Sequence, residues 1–146
     1  MIKQKNERKL HSVVYSFAGR WHLPLSAGEV QVFFRKRRPV STPSRVFFYV
    51  GVPVKKIIGF AEIERIESVD IKAALAVRSN GAISEKELVS YIGEDGIVSA
   101  IWISTPNLLP EPLDLIGLRQ HCNFNPPQSF CNVSDDLHEY LMENKK

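Results

Sequence analysis

The stretch RVFFYVGVPVKKIIGFAEIERIE, residues 45–67, decides the fold. It holds two runs rich in β-branched and aromatic residues, 45–51 and 55–67, joined only by Val52, Pro53 and Val54. Both runs read as strands. Gly59 falls inside the second run, where a strand glycine marks a bend or bulge.

Working upstream, PVSTPS (39–44) has loop composition. EVQVFFRKR (29–37) alternates: Val30, Val32 and Phe34 fall on one face, Gln31, Phe33 and Arg35 on the other, which predicts a half-buried strand. AGRWHLPLSAG (18–28) reads as a short helix or turn interrupted near Pro24, and HSVVYSF (11–17) as a strand. Downstream, VDIKAALAVRS (69–79) has a helical pattern. SEKELVSYIG (84–93) is a second helix: Ser84 and Glu87 make a capping box, Leu88, Tyr91 and Ile92 an apolar stripe, and Gly93 a terminator. GIVSAIWIS (96–104) is a strand, PLDLIGL (112–118) a short strand or turn, NPPQSF (125–130) irregular, and SDDLHEYLMEN (134–144) a terminal helix. Five or six strands with helices inserted mid-chain predict an α+β fold, a small mixed β-barrel with two to four helices. Its core should include Val30, Val32, Phe34, Phe47, Tyr49, Ile58, Ile101 and Ile103.

The chain has 146 residues, of which 44% are hydrophobic. That suits one folded unit with a real core rather than a disordered chain. The expected division is a flexible basic segment at 1–10, a barrel at 11–133 and a C-terminal helix at 134–146. Net charge is only +3, but it is unevenly spread: the first 56 residues hold twelve Lys or Arg against Glu7 and Glu29. This asymmetry predicts one positive face. No apolar run approaches a membrane span, and the opening residues lack the apolar centre of a signal peptide, so a cytoplasmic location is expected. Cys122 and Cys131 read as free thiols. With His121 they lack the paired spacing of a zinc site, and neither a metal nor a cofactor is expected.

Taken in order, four pieces resemble the ASCH family of the PUA-like superfold, in the branch known as predicted transcriptional regulators: LSAGEVQVFFRKRRP, RVFFYVGVPVKKIIGFAEIERIE, ISEKELVSYIGEDGIVSAIWIS and LDLIGLRQHCNFNPPQSF. The resemblance covers roughly residues 12–133. It implies a barrel with a cleft beside its first helix that receives RNA or a nucleotide. An enzymatic branch, which deacetylates N4-acetylcytidine, carries glycine, lysine, glutamate and arginine in a spaced motif. Laid on this chain from Gly28, the lysine position holds Val30, the glutamate position Phe33 and the arginine position Arg35. Valine and phenylalanine supply neither base nor cation. The resemblance therefore argues against that activity and assigns no catalytic residue; the alternative is a hydrolase of an acylated or modified nucleoside with a shifted set drawn from Glu29, Lys36 and the loop near Ser26.

Candidate binding residues follow from the basic run Arg35–Arg38. Strand alternation puts Arg35 and Arg37 on one face and Lys36 and Arg38 on the other. The Arg35/Arg37 face is preferred for phosphate capture, because Arg35 matches the family arginine and a guanidinium grips phosphate bidentately. Trp21 is a candidate stacking group. Gly28 belongs to the family motif, and Gln128 is a candidate hydrogen-bonding group in the PPQSF loop. Phe33 fits better as a second apolar layer than as an exposed ring. The expected partner is RNA or a nucleotide. The acidic terminal helix also suits a basic protein partner.

Overall fold

A computed structural model describes residues 11–93 and 96–144; the expected flexible segment 1–10 lies outside the described residues. The strands are β1 (Ser12–Phe17), β2 (Val32–Arg35), β3 (Arg45–Val50), β4 (Lys56–Asp70), β5 (Ile97–Ile103), β6 (Asn107–Asp114) and β7 (Phe130–Asn132). The helices are α1 (His22–Ser26), α2 (Ile71–Ala76), α3 (Glu85–Ile92), α4 (Leu115–Cys122) and α5 (Asp135–Asn144), with 3₁₀ turns at Gly19–Trp21 and Arg78–Gly81.

The two runs of the opening stretch are β3 and β4, an antiparallel pair. β4 is the spine of the sheet. Its first half pairs with β3 and β6, and its second half pairs with β5. The strand order is β2-β5-β4-β3-β1-β7, with β6 beside β4 off that path. Gly59 sits where the β3–β4 register shifts, next to Phe48 and Tyr49. A Cβ there would collide with the backbone carbonyl oxygen of Asn107 on β6, so the close passage of a second backbone fixes glycine at this position.

Among the described residues, seven strands and five α-helices replace the expected five or six and two to four. β6 contains Pro110 and Pro112, which ordinarily argue against a strand. Here both lie between the paired positions Leu108 and Leu113, where the ladder to β4 is interrupted, so no ladder hydrogen bond is demanded of them. The segment 112–118 splits at Asp114, whose carboxylate accepts from the Gly117 amide at 2.8 Å and starts α4. Pro24 does not interrupt α1: it lies in the first turn, where its missing N–H has no intrahelical role. Asp70 caps α2 by accepting from the Ala73 amide, and the Ser84–Glu87 capping box opens α3 as its spacing predicts.

All eight expected core residues are buried, but in three layers rather than one. Val30, Ile58, Ile101 and Ile103 join Val13, Tyr15, Phe17, Phe33 and Phe48 inside the curved sheet. Phe47 and Tyr49 point to the other side, onto α4 and α5 through Leu118, Leu137 and Leu141. Val32 and Phe34 pack under α2 and α3 with Ala74, Leu88 and Ile92. β2 is therefore covered on both faces and not half-buried. α5 completes the second layer.

The expected closure of the barrel is not made by backbone pairing. β1 is flanked by β3 on one side and β7 on the other, so among the described residues β2 ends the path with no strand partner beyond β5. Side chains bridge β2 to β1 instead: Arg35 Nη1 donates to the Ser16 carbonyl at 3.0 Å, and the Tyr15 hydroxyl donates to the Arg37 carbonyl at 3.0 Å.

Candidate nucleic-acid interface

A cleft of about 610 Å³ opens over this bridge. Its floor is Phe17 of β1 with Phe33, Phe34 and Arg35 of β2. One wall is Ala18, Arg20 and Trp21; the other is Ile83, Lys86, Glu87, Ser90 and Tyr91. Gly81 lets the second wall come close, because a Cβ there would stand 2.8 Å from the Val32 carbonyl oxygen. The 3₁₀ turn thus lies directly against β2 and delivers α3 to the cleft.

Arg35 is held among aromatic rings. Its guanidinium carbon lies 4.4 Å from the Phe17 ring centroid, 5.4 Å from Phe33 and 5.5 Å from Tyr15. The rings meet edge to face, Tyr15 with Phe33 at 5.2 Å and Phe17 with Phe33 at 5.1 Å, so the cation rests on a packed aromatic floor. Among the described residues it forms no ion pair and donates one hydrogen bond, to Ser16. Burial lowers its pKa from the ordinary guanidinium value, with the neighbouring Tyr91 and Tyr15 acting in the opposite sense. Burial pushes the Tyr15 phenol up to about 12 against the opposing pull of Arg35, with smaller effects from Tyr91 and Arg38.

The rim is polar. Arg20 Nε stands 3.0 Å from Glu87 Oε2, an ion pair that ties the two walls, and the same guanidinium lies 3.8 Å over the Trp21 ring. Tyr91 accepts from the Lys36 amide at 3.0 Å, with the Lys36 ammonium 5.0 Å from its ring centroid. Cations therefore flank both wall aromatics.

The structure brings Arg35 and Trp21 to one concave surface, but Arg37, Gly28 and Gln128 are not in its lining. Arg37 parts from Arg35 because β2 stops at Arg35: beyond it the two-residue alternation no longer applies, and the Arg37 side chain is exposed while its carbonyl binds Tyr15. Gly28 has φ 73 in the turn after α1, nearest Thr105. Gln128 is exposed in the loop before β7. Val30 and Phe33, which replace the lysine and glutamate of the enzymatic motif, are both in the inner core. Glu29 and Lys36 are exposed and outside the lining.

The sequence reading missed Arg20, Lys86, Glu87, Ser90 and Tyr91. Their signal was present in α3: positions 86, 87, 90 and 91 fall on one face at i, i+4 spacing, away from buried Leu88 and Ile92. Tyr91 was counted in the apolar stripe, yet it is 36% exposed. Cys122 is buried and Cys131 half-buried, both as free thiols. Among the described residues no group of three or more His, Cys, Asp or Glu side chains could hold a metal ion. No helix among them is long and apolar enough to cross a membrane.

A curated protein of Zymomonas mobilis, an ASCH domain-containing ribonuclease, is 31% identical over 106 residues, which cover 70% of this chain and 71% of that protein. The chain belongs to the ASCH domain family. The crystal structure of ASCH from the same organism superposes on this ASCH chain with a TM-score of 0.84, at 26% identity over 95% of this chain and 97% of that one. The N-terminal domain of Staphylothermus marinus McrB shares the fold alone: TM-score 0.60, 12% identity, 90% of this chain and 93% of that domain. No family model matches the chain. The fold is α+β and fits the PUA-like kind, and neither ASCH relative supports a branch of transcriptional regulators.

Proposed function

We propose that this ASCH protein binds single-stranded RNA, with one nucleotide seated in the cleft between Trp21 and Tyr91. The observation that carries this reading is Arg35: a cation on an aromatic floor, open to the cleft, with no carboxylate partner among the described residues. Keeping a desolvated cation without a protein counter-charge is costly, and a ligand with hydrogen-bond acceptors offsets that cost. Ring surfaces on both walls suit an unstacked base, which is how single strands are held. Lys36, Lys86 and Arg20 lie at the rim, where the chain of phosphates would pass. The likeness to a ribonuclease agrees with an RNA partner. A regulatory role, and a basic protein partner at the exposed acids of α5, rest on the sequence reading alone.

A second reading, cleavage of the bound strand, is favoured by the same relative. Such chemistry needs a base for the attacking hydroxyl and cations for the phosphorus-bound oxygens. Glu87 and Lys86 line the cleft, although Glu87 is committed to Arg20. Titrating a fluorescent single-stranded oligoribonucleotide over a range of salt concentrations tests binding. Two or three phosphate contacts give a slope of log affinity against log salt of roughly −1.4 to −2. No binding at low salt would refute the proposal. Shortened products from the same mixtures would add catalysis, and intact strands would remove it.

A further inference from the structure

We infer that Arg35 reads the edge of a base rather than a phosphate, and that the base which satisfies it best is guanine. The inference rests on the proposed RNA-binding reading and names the specificity of that same cleft. Three observations carry it.

First, the position of Arg35 is wrong for the strand backbone. It lies against Phe17 and Phe33, while the exposed cations Arg20 and Lys86 stand on the two walls and exposed Lys36, outside the lining, lies 5.0 Å from the Tyr91 ring centroid. A phosphodiester between two neighbouring nucleotides is bulky and strongly hydrated. To reach Arg35 it would have to descend among aromatic walls and shed water that those walls cannot replace. A base has an apolar ring face and one polar edge, and can descend edge first with its faces against Trp21 and Tyr91.

Second, the donors of Arg35 are arranged for a planar acceptor pair. A guanidinium has five N–H donors in a fixed fork. One bond, from Nη1 to the Ser16 carbonyl, anchors the group. The anchor and the rings beneath leave the fork oriented and mostly unused, the condition for bidentate recognition at small entropic cost.

Third, the chemistry of the bases selects among them. Guanine presents two adjacent acceptors, O6 and N7, which match an arginine fork. Adenine presents N7 beside the N6 amino group, so one donor of the fork would face another donor. Cytosine offers O2 beside the ring acceptor N3, a second adjacent pair but on a smaller ring that stacks less between the two walls, and uracil offers only carbonyls separated by a ring N–H. The expected order is guanine first, the pyrimidines between, and adenine last.

The experiment uses the full chain and fluorescein-labelled oligoadenosine strands carrying one central guanine, adenine, cytosine or uridine, with affinities measured by anisotropy across a salt series. The guanine strand should bind at least about tenfold tighter than the adenine strand, the ratio that 1.4 kcal/mol gives. Arg35→Gln should abolish that preference while leaving the salt slope unchanged. Lys36→Ala should keep the preference and make the slope shallower by about 0.7, one phosphate contact. The wild-type ranking needs no variant, so it stands even if Arg35→Gln fails to fold; Arg35→Lys then supplies a charged side chain without the fork. Equal affinity for all four strands overturns the base assignment while leaving RNA binding intact. A slope shallower by about 0.7 in Arg35→Gln returns Arg35 to a phosphate. Failure of every strand to bind removes both this inference and the reading beneath it.

Discussion

Arg35 and Gly59 show how far single residues speak from sequence. Arg35 was recognisable because it ends an alternating apolar run and occupies the family's arginine position. Its partnership with Arg37 was not, because alternation holds only while the strand lasts, and β2 ends at Arg35. β2 ends where its ladder to β5 stops, at the Arg35–Ser99 pair, which no local pattern reports. Gly59 was recognisable as an irregularity in a long strand, but its cause lies almost fifty residues away, in the Asn107 carbonyl of β6. An added methyl must push one backbone off another, and overpacking of this kind typically costs about 1–3 kcal/mol. Gly59→Ala is therefore expected to lower the urea midpoint by that amount of stability with an unchanged m-value. Wild-type stability in the variant would mean that β6 yields freely at this crossing.

Among the elements, α3 was the most legible and β6 the least. The Ser84–Glu87 spacing is a local chemical statement, and both halves of the box form: the Glu87 amide donates to Ser84 Oγ at 3.1 Å and the Ser84 amide to Glu87 Oε1 at 3.3 Å. β6 and α4 were blurred because prolines and an internal glycine weaken propensity, and tertiary pairing with β4 overrides it. α3 also carries one wall of the cleft, so its start has consequences for binding. Ser84→Ala should cost about 1 kcal/mol, within the usual range for losing an N-cap. In a chain of this size that corresponds to a fall of roughly 2–4 °C in melting temperature. Ser84→Asn, which keeps a capping acceptor, should lose much less. The comparison separates the cap from any general effect of changing this position. Under the proposed function, RNA affinity should follow the same order, because Lys86, Glu87, Ser90 and Tyr91 all ride on this helix.

For the whole molecule, the decisive feature is that the sheet closes through side chains. Three apolar layers explain why the sequence read as a barrel: an inner cluster fills a curved sheet, and the outer two were indistinguishable from it by hydrophobicity alone. The gap between β1 and β2 depends on Tyr15, whose ring packs on Phe33 and Phe130 and whose hydroxyl donates to the Arg37 carbonyl. Burial raises its pKa from 10 to about 12, so the folded state holds the proton that the unfolded chain releases first. Between those values the unfolded state binds fewer protons, and stability falls as pH rises. The contribution of Tyr15 is fully present below pH 10 and is lost as pH climbs towards about 12. Tyr15→Phe removes one hydrogen bond, worth about 0.5–1.5 kcal/mol at neutral pH, and removes the titrating group as well. Burial also raises the pKa of Tyr49 and Tyr140, so the variant should retain part of the alkaline decline. Denaturant unfolding of both proteins at intervals from pH 8 to about 11 should therefore give curves that start apart and converge upward. Parallel curves over that range would show that the phenol of Tyr15 titrates as it does in the unfolded chain, and that the seam between β1 and β2 does not rely on its proton.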